Sequence, residues 1–480
     1  MRGFLASSIG VTCAAALALP LAPPAAATAS SAAASSAAAS SAAASSAAAS
    51  SAAPPTSGRT AQSEAYVPGG TQSLPLAPLT RDRAPGAAEQ GVPRRDVRHF
   101  SMVGLVWDNP ATELHGHVQV RTRATATGAW SGWQQLETHN ADHAADPGTP
   151  ESTSGRVRGA TAPLWVGESD GVEVRVRAES TPDATSAATR ATGVTTAAPA
   201  AASPLPTGMR LELIDPGEGV PPAAAPGSEE GPRTTNMTVE SVAASAVNAG
   251  LAPLGATEIP ALSRAQTQAE LGTQQQAKPY VGPRPSITTR RGWSANEKLR
   301  EKKFVYTKKV KAAFVHHSAT GNNYTCKQAP SVIRSIYRYH VNSMGWRDLG
   351  YNFLVDKCGK IYEGRAGGVS KSVLGAHTLG FNSNSMGIAV IGTYSSKKPS
   401  SAAVKAVARL TAWKLGLHGM NPRGKTYLKS GGGNLYRKGK NVRLNVISGH
   451  RDGFATSCPG KKLYGKLGST RSTAAKYQGR

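Results

Sequence analysis

The sequence predicts an α/β fold: a mixed β-sheet flanked by helices in the C-terminal third, preceded by a β-rich, sandwich-like module and by low-complexity linkers. Three observations lead to this prediction. Strand and helix patterns alternate after about residue 286, short alternating segments dominate residues 94–215, and Ser/Ala repeats fill part of the N-terminal region. Only 39% of the 480 residues are hydrophobic, so the folded part is smaller than the chain length suggests.

The first 29 residues are predicted to form a secretory signal peptide. An apolar stretch, "FLASSIGVTCAAALALPLA", precedes small residues that suit an A-x-A cleavage site. A membrane anchor is the alternative, but Pro20, Pro23 and Pro24 interrupt a run that is already too short to span a bilayer. We therefore expect no transmembrane segment, and a secreted protein that is extracellular or associated with the cell wall.

Composition divides the rest of the N-terminal half into three parts. Residues 30–93 form a spacer of "SSAAA" repeats and Pro-rich sequence. In residues 94–215, segments such as "HGHVQVRTR" and "GVEVRVRA" predict the strands of the β-rich module, interrupted by an Ala/Thr/Ser/Pro insertion near residues 180–206. Its tryptophans, in "GAWSGWQQL" and "APLWVG", are interpreted as core residues rather than ligand platforms. Residues 216–285 are polar and weakly periodic, which indicates a linker.

The densest globular pattern covers residues 286–475. "KAAFVHHSA" and "MGIAVIG" predict buried strands, and "GYNFLVD" with "KIYEG" predicts a hairpin around a Cys-Gly turn. "APSVIRSIYRYHVNSM" and "SAAVKAVARLTAWKLGLHG" have apolar residues at helical spacing. Strands interleaved with helices indicate a sheet that is covered on its faces.

Charge divides unevenly along the chain. Residues 300–480 carry 33 Lys and Arg against five Asp and Glu, whereas the preceding residues are close to neutral. Such a field attracts polyanions: nucleic acid, anionic lipid, or the teichoic acids and peptide carboxylates of a cell wall. Export favours anionic wall polymers as partners and argues against nucleic acid. Solubility alone is the simpler explanation of the charge.

Cysteine usage indicates a metal site. Removal of the signal peptide leaves Cys326, Cys358 and Cys458, an odd number for a compartment that oxidises thiols. His450 lies eight positions before Cys458, and "FVHHSAT" offers two neighbouring histidines, only one of which can face the same side of a strand. Two imidazoles and a thiolate suit a hydrolytic zinc ion. On spacing alone, a core histidine beside a free buried thiol is the alternative.

Four segments in order resemble the peptidoglycan recognition protein and type 2 amidase family, whose members include zinc enzymes. They are "FVHHSAT", "GWRDLGYNFLVDKCGKIYEGR", "GAHTLGFNSNSMGIAVIGTY" and "SGHRDGFATSCPG". The resemblance covers about residues 286–470. The order of signal peptide, β-rich module and C-terminal amidase is similar to that of the secreted N-acetylmuramoyl-L-alanine amidases of actinobacteria.

The resemblance implies roles for individual residues. His316, His450 and Cys458 match the family's three zinc ligands. Tyr351 matches the tyrosine that hydrogen-bonds the catalytic water or the scissile carbonyl. Thr456 stands where phage-type members have Lys and many animal members have Thr, so charge stabilisation would depend more on zinc and the tyrosine.

The resemblance also suggests a substrate groove. His377 and Asn382 match positions that touch muramyl-peptide in the family. Trp346 and Arg365 are further candidates, although Trp346 could equally be a packing residue at a helix end.

The two cysteines that are not assigned to zinc are expected to pair. Cys326 precedes a predicted helix and Cys358 lies in the predicted hairpin turn, so both are at element ends where side chains can approach each other. An oxidising compartment favours the disulfide, and two unlinked surface thiols are the alternative.

Together these expectations describe a monomeric, secreted zinc enzyme that cleaves the amide bond between N-acetylmuramic acid and the L-alanine of the peptidoglycan stem peptide. A non-catalytic peptidoglycan-binding module is the alternative, but members that only bind usually lack the Cys ligand. A wall glycosidase is disfavoured because the five carboxylates of residues 300–480 form no evident acid/base pair. No nucleophile elbow supports a Ser-His-Asp hydrolase.

Overall fold

The computed structural model describes residues 69–79, 89–138, 140–179, 204–219, 237–272 and 280–480. The predicted signal peptide lies outside the described residues, as do most of the predicted spacer and of the insertion near residues 180–206. Within the described residues, no helix is both long and apolar enough to cross a membrane.

The elements follow one another along the chain in the order of their labels. The strands are β1 (Thr71–Pro75), β2 (Ala77–Pro78), β3 (Glu89–Trp107), β4 (Gly116–Ala124), β5 (Gln134–Leu136), β6 (Gly159–Ala160), β7 (Leu164–Ala178), β8 (Arg210–Ile214), β9 (Glu258–Ile259), β10 (Ile287–Thr288), β11 (Ala312–His317), β12 (Phe353–Val355), β13 (Ile361–Glu363), β14 (Ser385–Val390), β15 (Lys425–Lys429), β16 (Asn441–Asn445) and β17 (Ile447–Gly449). The helices are α1 (Val239–Ala246), α2 (Arg264–Gly272), α3 (Ala329–Arg338), α4 (Ser401–Leu417), α5 (Lys461–Tyr464) and α6 (Leu467–Gln478).

The N-terminal module is an antiparallel sheet with strand order β1-β8-β3-β7-β4-β5, in which β2 and β6 also pair with β3. Its strands alternate as the sequence predicts: in β4, Val118, Val120 and Thr122 are buried while the residues between them are partly exposed. The buried side chains of β3, β4, β7 and β8 form one apolar core. The β-rich class is confirmed.

The interpretation of the module's tryptophans as core residues holds for one of them and is wrong for two. Trp165 is buried at 3% exposure. Trp130 and Trp133 are only half-buried and are stacked with arginine side chains: the guanidinium of Arg94 lies 4.4 Å from the Trp130 ring, and that of Arg175 lies 4.1 Å from the Trp133 ring. Cation–π stacking on the sheet surface, rather than core packing, holds these two rings.

The C-terminal domain contains a seven-stranded mixed sheet with the order β17-β11-β14-β12-β13-β10-β9. Strands β17, β11, β14 and β12 are parallel to their neighbours in this series, whereas β12 and β13 form the predicted antiparallel hairpin. Strands β15 and β16 form a separate antiparallel pair. The predicted mixed sheet flanked by helices is confirmed.

Helices cover both faces of this sheet, and the alternation along β14 shows how. Met386, Ile388 and Val390 share a core with α4 and α6, whereas Ala389 and Ile391 share a core with α3. All five side chains are buried, which accounts for the nearly continuous apolar run in the sequence.

The core around α3 also contains side chains of the N-terminal module. Met102, Trp165 and Ile214 belong to the same apolar cluster as the helix. The hydroxyl of Tyr339, the residue that directly follows α3, lies within hydrogen-bonding distance of the main-chain oxygens of Leu105 (2.9 Å) and Thr161 (3.0 Å) and donates its one hydrogen between them. The two domains are therefore joined by a shared core as well as by the chain.

Residues 237–272, which the sequence places in the linker, contain α1, β9 and α2. Their elements are short, so their periodic pattern is weak. Strand β9 pairs with β10 and is the edge of the seven-stranded sheet. Asn248 donates hydrogen bonds to the buried carboxyl group of Glu363 at 3.0 and 3.1 Å, which ties this segment to the domain.

Candidate metal centre

Two parallel strands bring His316 and His450 together. Strand β11 pairs with β17 in a register that sets Val315 opposite Gly449, so the next residue along each strand is a histidine. Their ring centroids are 4.5 Å apart. The alternation of β11 turns His317 to the other face, where its Nδ1 accepts a hydrogen bond from the main-chain N–H of Tyr394 at 3.3 Å. Only the first histidine of the pair enters the site.

Cys458 completes this arrangement from the loop after β17. Its thiol is free and buried, and its Sγ lies 3.8 Å from Nδ1 of His316. Asp452 fixes the intervening loop, because its carboxylate accepts hydrogen bonds from the main-chain N–H of Gly449 (2.9 Å) and from the hydroxyl of Tyr464 (2.6 Å). Asp452 therefore positions the loop and does not contact a ligand imidazole.

A fourth donor, His143 of the N-terminal module, lies in the same cluster. Potential ligand atoms of His143, His316, His450 and Cys458 all lie within 4.8 Å of one another, and all four residues are buried. Three imidazoles and one thiol are a ligand set that zinc prefers over hard cations such as Mg²⁺ or Ca²⁺.

The state of these donors fits a metal ion. Among the described residues, neither ring nitrogen of the fully buried His450 makes a hydrogen bond within 3.5 Å. Nδ1 lies 3.6 Å from Oδ2 of Asp142, and a cation bound at the other nitrogen would relieve the remaining cost of burial. Burial lowers the pKa of His450 to about 3 and that of His316 well below its usual range, so both imidazoles are neutral and able to coordinate. Burial raises the pKa of the Cys458 thiol, so a cation is needed to hold it as thiolate.

Tyr351 stands beside the cluster, and Thr456 stands on its loop. The Tyr351 ring centroid is 5.5 Å from that of His316. Burial, with the nearby Cys458 and Asp142, raises the pKa of the Tyr351 phenol well above its usual value, so the hydroxyl remains a hydrogen-bond donor. The Thr456 hydroxyl accepts a hydrogen bond from the main-chain N–H of Cys458 at 3.2 Å.

The structure distributes the four candidate groove residues around this cluster. His377 packs 5.2 Å from the His316 ring and is fully buried. Asn382 accepts hydrogen bonds from the main-chain N–H groups of His377 (2.7 Å) and Thr378 (3.1 Å). Trp346 is 3% exposed and packs against the ring of His340 at 4.5 Å, in the interior rather than on an open groove wall.

Arg365, the fourth candidate, is occupied by the N-terminal module. Its guanidinium donates two hydrogen bonds of 2.8 Å to the carboxylate of Glu151, and both side chains are buried. Glu151 belongs to the inserted loop, residues 140–158, which lies between β5 and β6. This loop also carries His143.

No pattern in the sequence assigns the inserted loop to the site. The loop is more than 150 residues away from His316 in the chain, and no local periodicity connects the two. One signal was present: residues 134–155 contain Glu137, Asp142, Asp146 and Glu151 but no Lys or Arg, beside a C-terminal domain that is strongly basic.

The disulfide predicted between Cys326 and Cys358 is present. It links the 3₁₀ turn that leads into α3 with the turn of the β12–β13 hairpin. Tyr351 lies two residues before that hairpin.

Two family models match the chain. Residues 306–461 match the family described as N-acetylmuramoyl-L-alanine amidase, and residues 54–202 match the family described as Rv3811 N-terminal galactose-binding domain-like. The first match contains His316 of β11, His450 directly after β17, and Cys458. The second contains most of the N-terminal sheet, including the inserted loop.

Curated relatives match about a third of the chain. Peptidoglycan-recognition protein SC2 of Drosophila simulans is 31% identical over 157 residues, which are 32% of this chain and 71% of that protein. Peptidoglycan-recognition protein 1 of Holotrichia diomphalia is 32% identical over 184 residues, 38% of this chain and 79% of that protein. Among solved structures, wild-type Drosophila PGRP-LB is 25% identical with a TM-score of 0.31, and the match covers 38% of this chain and 92% of that one.

The extent of these matches settles the family. The relatives exceed 30% identity over more than two thirds of their own length. The region that matches the amidase family model holds five of the seven strands of the mixed sheet together with His316, His450 and Cys458. This chain belongs to the family of peptidoglycan-recognition proteins and N-acetylmuramoyl-L-alanine amidases.

Proposed function

We propose that this protein is a secreted, zinc-dependent hydrolase that cleaves the amide bond between N-acetylmuramic acid and the L-alanine of the peptidoglycan stem peptide. One observation carries the proposal: the free, buried thiol of Cys458 lies with His316 and His450 in one cluster of potential ligand atoms. A binding groove needs no such thiol, whereas a hydrolytic zinc site needs three protein ligands. Export is supported by the disulfide, because disulfides persist in oxidising compartments.

The chain's own residues would divide the work as follows. His316 and His450 would hold zinc through neutral imidazoles, and Cys458 would lose its proton and bind as thiolate. When bound, zinc supplies a polarised scissile carbonyl and an activated water. Tyr351, protonated and adjacent to the cluster, would donate a hydrogen bond to the carbonyl oxygen as negative charge develops there. Thr456 carries no charge, so the Tyr351 phenol is the main donor that the chain itself offers.

Substrate would be held by the residues next to this cluster. Arg365 already accommodates a carboxylate, that of Glu151, in a paired geometry that a carboxylate of the stem peptide could also adopt. His377 packs against the ring of His316, and Asn382 accepts a hydrogen bond from the main-chain N–H of His377, so these two residues would orient the glycan end. The positive charge of residues 300–480 would favour association with anionic wall polymers.

The test is mass spectrometry of peptidoglycan incubated with the zinc-loaded protein. We expect free stem peptides that begin with L-alanine, together with new amino termini in the digest. A chelator should abolish their release and added zinc should restore it, while the Cys458→Ser variant serves as the matched inactive control.

Two results would contradict the proposal. New reducing sugar ends without new amino termini would indicate a glycosidase. Tight binding of peptidoglycan without release of peptide, by the wild type and by the variants of the inserted loop described below, would indicate a recognition protein.

A further inference from the structure

The inserted loop occupies the site at which substrate would bind. His143 is at its centre: Nε2 lies 3.6 Å from Sγ of Cys458, and the ring centroid lies 4.5 Å from that of His450 and 5.2 Å from that of His316. The same ring stands edge-on to Tyr351, with centroids 5.9 Å apart. His143 therefore faces each of the other three donors and the tyrosine that would assist the reaction.

Asp142 fixes this histidine from its other side. Its Oδ1 lies 2.9 Å from Nδ1 of His143, a contact that leaves Nε2 directed towards the cluster. Carboxylates in this position commonly orient metal-binding histidines. The main-chain oxygen of Asp142 accepts a hydrogen bond from the N–H of Leu379 at 3.0 Å, which anchors the loop to the C-terminal domain.

Two further acidic side chains of the loop engage the candidate groove. Oδ1 of Asp146 accepts hydrogen bonds from the Asn382 side-chain amide (2.7 Å) and from the Gly380 main-chain N–H (2.9 Å). Glu151 forms its paired contact with Arg365 and accepts a hydrogen bond from the N–H of Arg347 at 3.2 Å. Asp146 and Glu151 are both at least nine-tenths buried, so these contacts exclude solvent.

The number of protein ligands distinguishes a closed zinc site from a hydrolytic one. Four protein ligands fill the tetrahedral shell of zinc, whereas a hydrolytic site keeps one position for water or substrate. Coordination by His143 and turnover therefore exclude each other. The carboxylates of Asp146 and Glu151 form hydrogen bonds with the Asn382 amide and the Arg365 guanidinium, respectively. These two groups would otherwise contact substrate.

We propose that His143 is a fourth zinc ligand, contributed by the N-terminal module, and that the inserted loop holds the enzyme in a latent form by closing both the metal and the groove. The inference rests on the zinc site of the proposed function. Activity would require withdrawal of the loop, and a peptidoglycan strand that competes for Arg365 and Asn382 is of the right chemistry to cause it.

The first experiment counts metal ligands in the full-length protein and does not depend on activity. Zinc K-edge X-ray absorption of the zinc-loaded wild type should show three imidazole nitrogens and one sulfur. Two imidazoles, one sulfur and one additional oxygen would overturn the proposal.

The second experiment compares His143→Ala with His117→Ala, an exposed histidine of the same module whose side chain is 62% exposed. With Co²⁺ in place of zinc, the visible bands of His143→Ala should shift as water replaces an imidazole, and its zinc affinity should fall by about 10-fold or more. The His117→Ala spectrum should match that of the wild type. An unchanged spectrum and affinity in folded His143→Ala would overturn the proposal.

The third experiment separates this inference from the proposed function. Asp146→Asn combined with Glu151→Gln weakens the loop and leaves all four donors in place, and His143→Ala opens the metal. We expect both variants to release stem peptides faster than the wild type. If the variants and the wild type release stem peptides at equal rates and their cobalt spectra are the same, the latent form is refuted and the amidase activity is supported. A shifted cobalt spectrum of His143→Ala, without release of stem peptide by any variant, would support His143 as a zinc ligand and refute the amidase activity.

Discussion

At the scale of single residues, the proposed function depends most on Cys458. We expect Cys458→Ser to lose stoichiometric zinc and all turnover, because a serine hydroxyl is a poor zinc ligand at neutral pH. Elemental analysis of the purified variant, alongside the peptidoglycan digest, checks both parts. Full activity in a metal-free variant would show that the residue is not part of the site.

Tyr351 can be tested without disturbing the metal. Its ring packs beside His316, but burial keeps its phenol protonated, and a neutral phenol is not a usual zinc ligand. Tyr351→Phe should therefore keep its zinc and its fold, and lower kcat by about 10²-fold or more, because it removes a hydrogen bond that strengthens in the transition state. If kcat is unchanged, Tyr351 is a packing residue only.

Some residues of the site could be identified from the sequence and others could not. His316 was separable from His317 because side chains alternate along a strand, and the parallel pairing of β11 with β17 explains why His450 joins it. His143 and Asp146 were missed because their partners are distant in the chain and because contact between loops leaves no periodic trace. Trp346 had two interpretations in the sequence, and its burial against His340 supports packing.

At the scale of elements, the Cys326–Cys358 disulfide joins the start of α3 to the β12–β13 hairpin across a separation of 32 residues. Replacing both cysteines by serine should lower the free energy of unfolding by about 3 to 4 kcal/mol, because the unfolded chain regains loop entropy. Urea unfolding of the zinc-loaded proteins measures the loss.

Zinc content provides the control for the disulfide variant. Neither cysteine belongs to the metal cluster, so the double variant should bind zinc with the same stoichiometry as the wild type. An unfolding free energy equal to that of the wild type would show that the link contributes no stability.

The elements themselves were predictable to different degrees. Strands β11 and β14 and helix α4 are long and have clear patterns, so the sequence located them. The two-residue strands β9 and β10 have no pattern of their own, since pairing with the rest of the sheet defines them. This is why the segment before β10 was interpreted as a linker.

At the scale of the whole molecule, the shared core predicts that the two domains unfold together. Gly104 of β3 packs against Tyr339, the residue that directly follows α3. A Cβ at position 104 would stand 2.5 Å from the buried ring of Tyr339. Gly104→Ala should therefore destabilise the protein by about 1 to 3 kcal/mol, as expected for overpacking.

Gly132→Ala is the matched control, because a Cβ there meets no atom within 4 Å. Calorimetry should show one cooperative transition for the wild type and for the control, and a lower transition temperature for Gly104→Ala. Two separate transitions in the wild type, or equal temperatures for the two variants, would contradict a shared core.

The covalent connection between the inserted loop and the domain that it covers has a consequence for how the enzyme would be switched on. An inhibitor carried by a separate molecule is lost on dilution, whereas a tethered one keeps the same effective concentration however dilute the protein is. The onset of activity should then follow first-order kinetics and be independent of the amount of enzyme. Because Met102, Trp165 and Ile214 anchor the module in the core around α3, release by movement of the loop alone costs less than detachment of the whole module. If the loop makes the protein latent as proposed, each molecule would remain inactive until it meets a peptidoglycan strand, at any distance from its neighbours.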